Sequence, residues 1–138
     1  MIDCYDFICD IKTLLENDET VSANNKITLS FEPSSLPNPL MTIYTVLKPL
    51  SLSVKDNSDP NISADKVAYF KMGINIHKAE RLNPSDMITR LTDILTLIEN
   101  DQDYTVFETG FDKMFRDTDT NSIVLPGFVT FAEYYSIT

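Results

Sequence analysis

A chain of 138 residues with 43% apolar side chains is long enough to bury a core of its own, which excludes wholesale disorder and any dependence on disulfides or metal for folding. Its 21 Asp and Glu against 11 Lys and Arg give a net charge of −10, with no cation cluster able to displace counterions from a nucleic-acid backbone. Specific nucleic-acid binding is therefore not expected, whereas a single domain over residues 1–138 is.

The opening "MIDCYDFICDIK" has neither a basic leader nor a long apolar core, so no signal peptide is expected, and no apolar run approaches the length of a membrane span. From Ile2 to Asn17, apolar residues at Cys4, Ile8, Ile11 and Leu15, widened by Phe7 and Leu14, make one face of a helix. Cys4 and Cys9 stand about 140° apart around that helix, too far for a disulfide without breaking it, so reduced packing thiols are expected. "ENDETVSANNK" is rich in turn formers, and "KITLSF" alternates as a half-buried strand. Pro33, Pro37 and Pro39 in "EPSSLPNPL" predict an extended, ordered loop. "MTIYTVL" and "LSLSVKD" are two β-rich runs separated at Pro49, which marks a bulge, a sheet edge or a tight turn, and "NSDPNISAD" has the composition of a flexible loop.

The clearest strand is "KVAYFKMGINIH". Ala68, Phe70, Met72, Ile74 and Ile76 share one face, while Tyr69, Lys71, Asn75 and His77 share the other. Asn83 as N-cap, Pro84 at the first helical position and Asp86 in the first turn then open a second amphipathic helix to about Asn100, with Met87, Leu91, Ile94, Leu95 and Ile98 as its stripe. The last third is β again: "YTVFETGFDKMF" with Gly110 as a candidate bulge, the turn "RDTDTNS", a short strand "IVLPG" and a closing aromatic strand "FVTFAEYYSI". The order predicts an α+β fold in which a mainly antiparallel or mixed sheet carries two amphipathic helices packed on one face.

Candidate chemistry is sparse. The single histidine, His77, has Lys78 and Glu80 near it in sequence, but a general base needs a cleft, a nucleophile and an orienting carboxylate; the junction from His77 to Arg81 reads as a solvated connection. "DTDTNS" starts like a calcium loop at Asp117, Asp119 and Asn121, yet Ser122 and Phe128 replace the required Gly and Glu, leaving a hairpin turn. No phosphate loop, nucleophile elbow or zinc spacing exists, so neither enzymatic activity nor any cofactor or metal is expected. The closing strand has aromatic residues on both faces. The helices can cover only one of them, so the other needs a neighbour, for which Phe131, Tyr134 and Tyr135 are the candidates.

The N-terminal helix, "LPNPLMTIYTVL", the joint "INIHKAERLNPSDMITRLTDIL" and the ending "RDTDTNSIVLPGFVTFAEYY" together resemble small tail-terminator or tail-completion proteins of long-tailed bacteriophages and of phage-derived contractile bacteriocins. The resemblance spans most of the chain. It implies a structural subunit that assembles in the bacterial cytoplasm into a virion or phage-tail-like particle. There a ring, usually a hexamer, caps the head-proximal end of the tail tube, with tube, sheath or head-tail connector proteins as further partners. A closed ring needs two different patches meeting head to tail. Phe131, Tyr134 and Tyr135 are then expected at a subunit interface, and Asp117 and Asp119 toward the lumen or an axial neighbour, where acidity lets DNA slide past. The alternative is an acidic DNA-mimic inhibitor of a host nucleic-acid-binding protein. Such a mimic should carry its acids in a stripe, whereas here they are interleaved with Lys and Arg after position 20.

Overall fold

The computed structural model of the protein describes residues 3–30, 42–79 and 85–137. The proline-rich segment from Pro33 to Pro39, the cap at Asn83 and Pro84, and the junction residues Glu80 and Arg81 lie outside the described residues.

Helix α1 runs Cys4–Glu16. It begins where Asp3, in extended conformation, accepts a hydrogen bond from the Asp6 amide at 3.2 Å and so satisfies one of the unpaired first-turn donors. A short α2, Glu19–Ser22, follows, with Asp18 capping it through the Val21 amide at 2.9 Å. Asn24, at φ 50, then turns the chain into strand β1, Asn25–Leu29. Asparagine suits that left-handed position because its short side chain tolerates it better than most.

Strands β2, Ile43–Asp56, and β3, Lys66–Ala79, form a long antiparallel hairpin. Helix α3, Ser85–Asn100, is followed by β4, Val106–Phe111, β5, Phe115–Asp117, and β6, Ser122–Tyr135. The six-stranded sheet has the order β1-β2-β3-β6-β4, with β5 continuing along the same side of β6 as β4. Only β1 and β2 are parallel, so the sheet is mixed, as expected of the α+β class.

Both prolines that divide the β-rich runs lie inside continuous strands. The register between β2 and β3 shifts at Pro49 and Ser51, so Pro49 sits at a bulge, where no ladder donor is demanded of it. In β6 the Pro126 carbonyl accepts from the Asp112 amide at 2.9 Å, which points the proline's imide nitrogen toward the same side, into the gap between β4 and β5. The bulge in β4 falls between Val106 and Glu108, not at Gly110. Gly110 is needed for another reason: a Cβ there would sit 2.8 Å from the Phe128 ring.

All three described helices lie on one side of the sheet. The core between the layers takes Ile8, Ile11 and Leu15 from α1, Met87, Leu91, Ile94 and Ile98 from α3, and Phe70, Met72, Ile74, Ile76, Leu125, Val129 and Phe131 from β3 and β6. Leu91 lies directly over Gly127, where a methyl would come within 2.6 Å of its Cδ1 and 2.9 Å of the Ile74 carbonyl. The absence of a side chain lets α3 approach the sheet there. A polar chain ties the layers at the other end: Thr45 donates to Asn25 Oδ1, the Asn25 amide to the Val21 carbonyl, and Arg90 to the Thr20 and Val21 carbonyls at 2.9 and 2.7 Å. Both cysteines are free and half-buried against the core.

Candidate functional site

Alternation along the strands decides which side chains face away from the helices. From β3 these are Val67, Tyr69, Lys71, Gly73, Asn75 and His77; from β6, Val124, Pro126, Phe128, Thr130, Ala132 and Tyr134, paired across the ladder. No described helix covers this side. Its surface is apolar in patches, with Phe107 at 62%, Phe115 at 52% and Leu50 at 46% exposure, and Tyr134 at 36%. Phe107 leaves the β4 register at its bulge and lays its ring 4.8 Å from Tyr69.

Cations accompany the rings. Lys71 places its ammonium 4.5 Å above the Phe128 ring and Lys55 stands 5.7 Å over Tyr69, geometries in which the ring quadrupole attracts the charge. Lys48 and Lys26 belong to the same side, since they pair with Gly73 and with Tyr44 in the ladder. A depression of about 220 Å³ opens among Lys48, Leu50, Lys71, Asn75, Asp112 and Phe128, so a carboxylate shares it with the two lysines.

The residues singled out from the sequence are not brought to one place. Phe131 belongs to the helix-facing side and is 1% exposed, clasped edge-on by Phe7 at 4.6 Å and tilted against Tyr104 at 5.8 Å, so it is a core residue and not a surface one. Tyr134 lies on the open face, opposite Val67. Tyr135 is half-buried at the strand end, facing the other way, and its carbonyl accepts from the Asp65 amide at 3.2 Å. Asp117 and Asp119 form the β5–β6 hairpin turn, where the Asp117 carboxylate accepts from the Asp119 amide at 3.0 Å and Asn121 adopts φ 49.

Sequence reasoning missed one juxtaposition. His77 Nδ1 lies 3.4 Å from Ser122 Oγ, and Asp117 acts on the imidazole through its charge, so the three residue types of a hydrolase triad meet. Ser122 is fully buried and its hydroxyl pairs with Thr120 at 2.6 Å, so no acyl group can reach it. Burial holds the His77 pKa below its ordinary value, with Asp117 opposing that shift. This is a neutral histidine packed at a strand end. The Cys4 thiol is pushed up, first by burial and then by Asp3 and Glu133, which leaves it protonated and a poor nucleophile. A second hollow, of about 380 Å³, lies between Phe7, Tyr104, Glu133 and Tyr134 and offers aromatic rings and carboxylates without a base and nucleophile in reach of each other. Among the described residues no group of three His, Cys, Asp or Glu could hold a metal ion.

The fold is thus α+β, with a sheet that the described helices cover on one side and leave open on the other. No family model matches the sequence, and no curated protein does. Among solved structures the chain is similar to one from the virion of a native gene transfer agent particle, with a TM-score of 0.50 and 12% identity over 90% of each chain. At that identity the shared property is the fold.

Proposed function

We propose that the chain is a structural subunit of a phage-like particle. Copies close into a ring, of about six subunits as in the tail terminators it resembles, which caps the head-proximal end of a tail tube and touches tube, sheath or connector proteins. One observation carries the reading: among the described residues nothing covers the sheet side opposite the helices, which bears exposed Phe107, Phe115, Leu50 and Tyr134, more apolar surface than a solitary acidic protein needs. The fold shared with a chain of a gene transfer agent virion supports the same reading. Tyr134 is the residue of the sequence-based set that this face can offer a neighbour, and the Asp117–Asp119 turn is the exposed loop assigned to the lumen or an axial contact. DNA mimicry fits less well, because a mimic would not place Lys48, Lys55 and Lys71 together on its open surface.

The test is end-capping. Tube protein polymerised with this chain should give tubes of limited length bearing a ring of about six copies at one end, visible by electron microscopy and countable by native mass spectrometry. Tubes of unchanged length with bare ends would overturn the proposal.

A further inference from the structure

Among the described residues, strands at both ends of the sheet keep a free outer edge. At one end β4 pairs only with β6, and β5 continues beside β6 on the same side. At the other end β1 flanks only residues 43–47 of β2, which leaves residues 48–56 without an outer strand and makes a notch above the end of β1. Exposed apolar side chains collect at these two edges. Of the ten large hydrophobic residues exposed among those described, Phe107, Phe111 and Phe115 belong to the first edge and Leu50, Leu52 and Val54 to the second, so most of the exposed apolar surface borders an unpaired strand. Each edge is apolar on both faces. Phe111 and Leu52 pair with Gly127 and Phe70 on the helical side, whereas Phe107 lies against Tyr69 and Leu50 against Gly73 on the open side. A long free edge with apolar flanks is where a further chain can join a sheet.

We infer that the β4 edge of one copy packs along the β2 edge of the next. The register selects a second copy as the occupant. Followed across the ladders, Val106 is level with Phe131, Phe70 and Leu52, and Phe111 is level with Gly127, Ile74 and Leu47. β4 therefore stands at the height of residues 47–52, beside the notch that β1 leaves, and it runs antiparallel to β2 because three antiparallel pairings separate them. A copy turned about an axis along the strands brings its β4 into that notch in antiparallel sense, with its helices on the same side and its Phe107 and Phe111 beside Leu50 and Leu52. Pro49 has no donor to offer there, so side chains and not a continuous ladder carry the contact. The two edges are unlike, so the contact is heterologous and its repetition gives a closed ring or an open filament. It rests on the ring reading above for closure, but the joined edges need no tail.

Two edge-blocked chains test this. One carries Phe107→Lys and Phe111→Lys; the other carries Leu50→Lys and Leu52→Lys. In sedimentation velocity the unaltered chain should associate beyond dimers, and the association should survive raised ionic strength because apolar contact carries it. Each blocked chain alone should associate at least about tenfold more weakly, with helix and sheet content by circular dichroism unchanged. An equimolar mixture of the two should stop at one-to-one dimers, because only one intact edge of each kind remains to meet. If a lysine pair unfolds its chain, Phe111→Ser and Leu52→Ser replace the pairs in the same measurements. An unaltered chain that stays monomeric at every concentration, association that salt abolishes, or a mixture that forms no dimers or grows past them would overturn the inference; the first result would leave the edges to a strand of another protein. Tube capping read on the same samples separates the two proposals. Association without capping leaves the joined edges standing and removes the tail role, whereas capping by both blocked chains does the opposite.

Discussion

His77 is the residue whose chemistry the structure changes most. At 9% exposure it stands opposite Tyr44 and Val124 in the ladder, beside Ser122 and within the field of Asp117. Its pKa is lowered by desolvation, so above about pH 6.5 the imidazole is neutral in both folded and unfolded chains and adds no pH dependence. As pH falls below that value the unfolded chain takes up a proton that the folded one refuses, and stability drops. Urea midpoints at pH 7.5 and 5.5 should therefore differ less in His77→Gln than in the unaltered chain; an equal difference would show that His77 ionises freely. Phe131 and Tyr134 make a second contrast, because they lie three residues apart on opposite sides of β6. Truncating the buried ring in Phe131→Ala should cost about 3–5 kcal/mol in denaturant unfolding of the isolated subunit. Tyr134→Ser should cost well under about 1 kcal/mol there and weaken assembly instead. Alternation in the sequence separates these two residues into different faces, but it cannot say which face the helices cover, and that is why Phe131 reads as an interface candidate until the layers are seen.

At the scale of elements, β3, α1 and α3 were legible, because each has a single strong period and an apolar stripe that the fold buries. The short α2 was not, since four residues are too few to show a period. The divided runs at Pro49 and Pro126 are single strands of 14 residues because tertiary neighbours remove the demand for the missing donor. No local pattern encodes a gap between two other strands. The parallel pairing of β1 with β2 is equally silent in the sequence, being set by where the intervening segment returns the chain. The β2–β3 loop reads as flexible by composition, yet Asn57 organises it. Its side-chain amide donates to the Ile62 and Ala64 carbonyls at 3.0 and 2.9 Å, and its carbonyl accepts from the Asp59 amide at 2.9 Å. Asn57→Ala should cost about 1 kcal/mol and speed hydrogen exchange at the Asp59 amide, with amides at the centre of β3 unaffected. Unchanged exchange at Asp59 would mean that the turn holds itself.

For the whole molecule, β3 and β6 form the centre of the sheet and share one core with α1 and α3. One core over 138 residues should unfold in one step. Thermal transitions followed by far-ultraviolet circular dichroism and by tyrosine signals are expected to coincide, and separated midpoints would divide the chain into two cooperative units.

The close approach at Gly127 carries a mechanical consequence. Because α3 rests there on bare backbone, a single methyl would act as a shim beneath the helix, displacing Leu91 and with it the grip of Met87 and Ile94, which sink from the same helix face. Damage at that one position would spread along the whole rod, and tilting the rod would re-aim every carboxylate it carries.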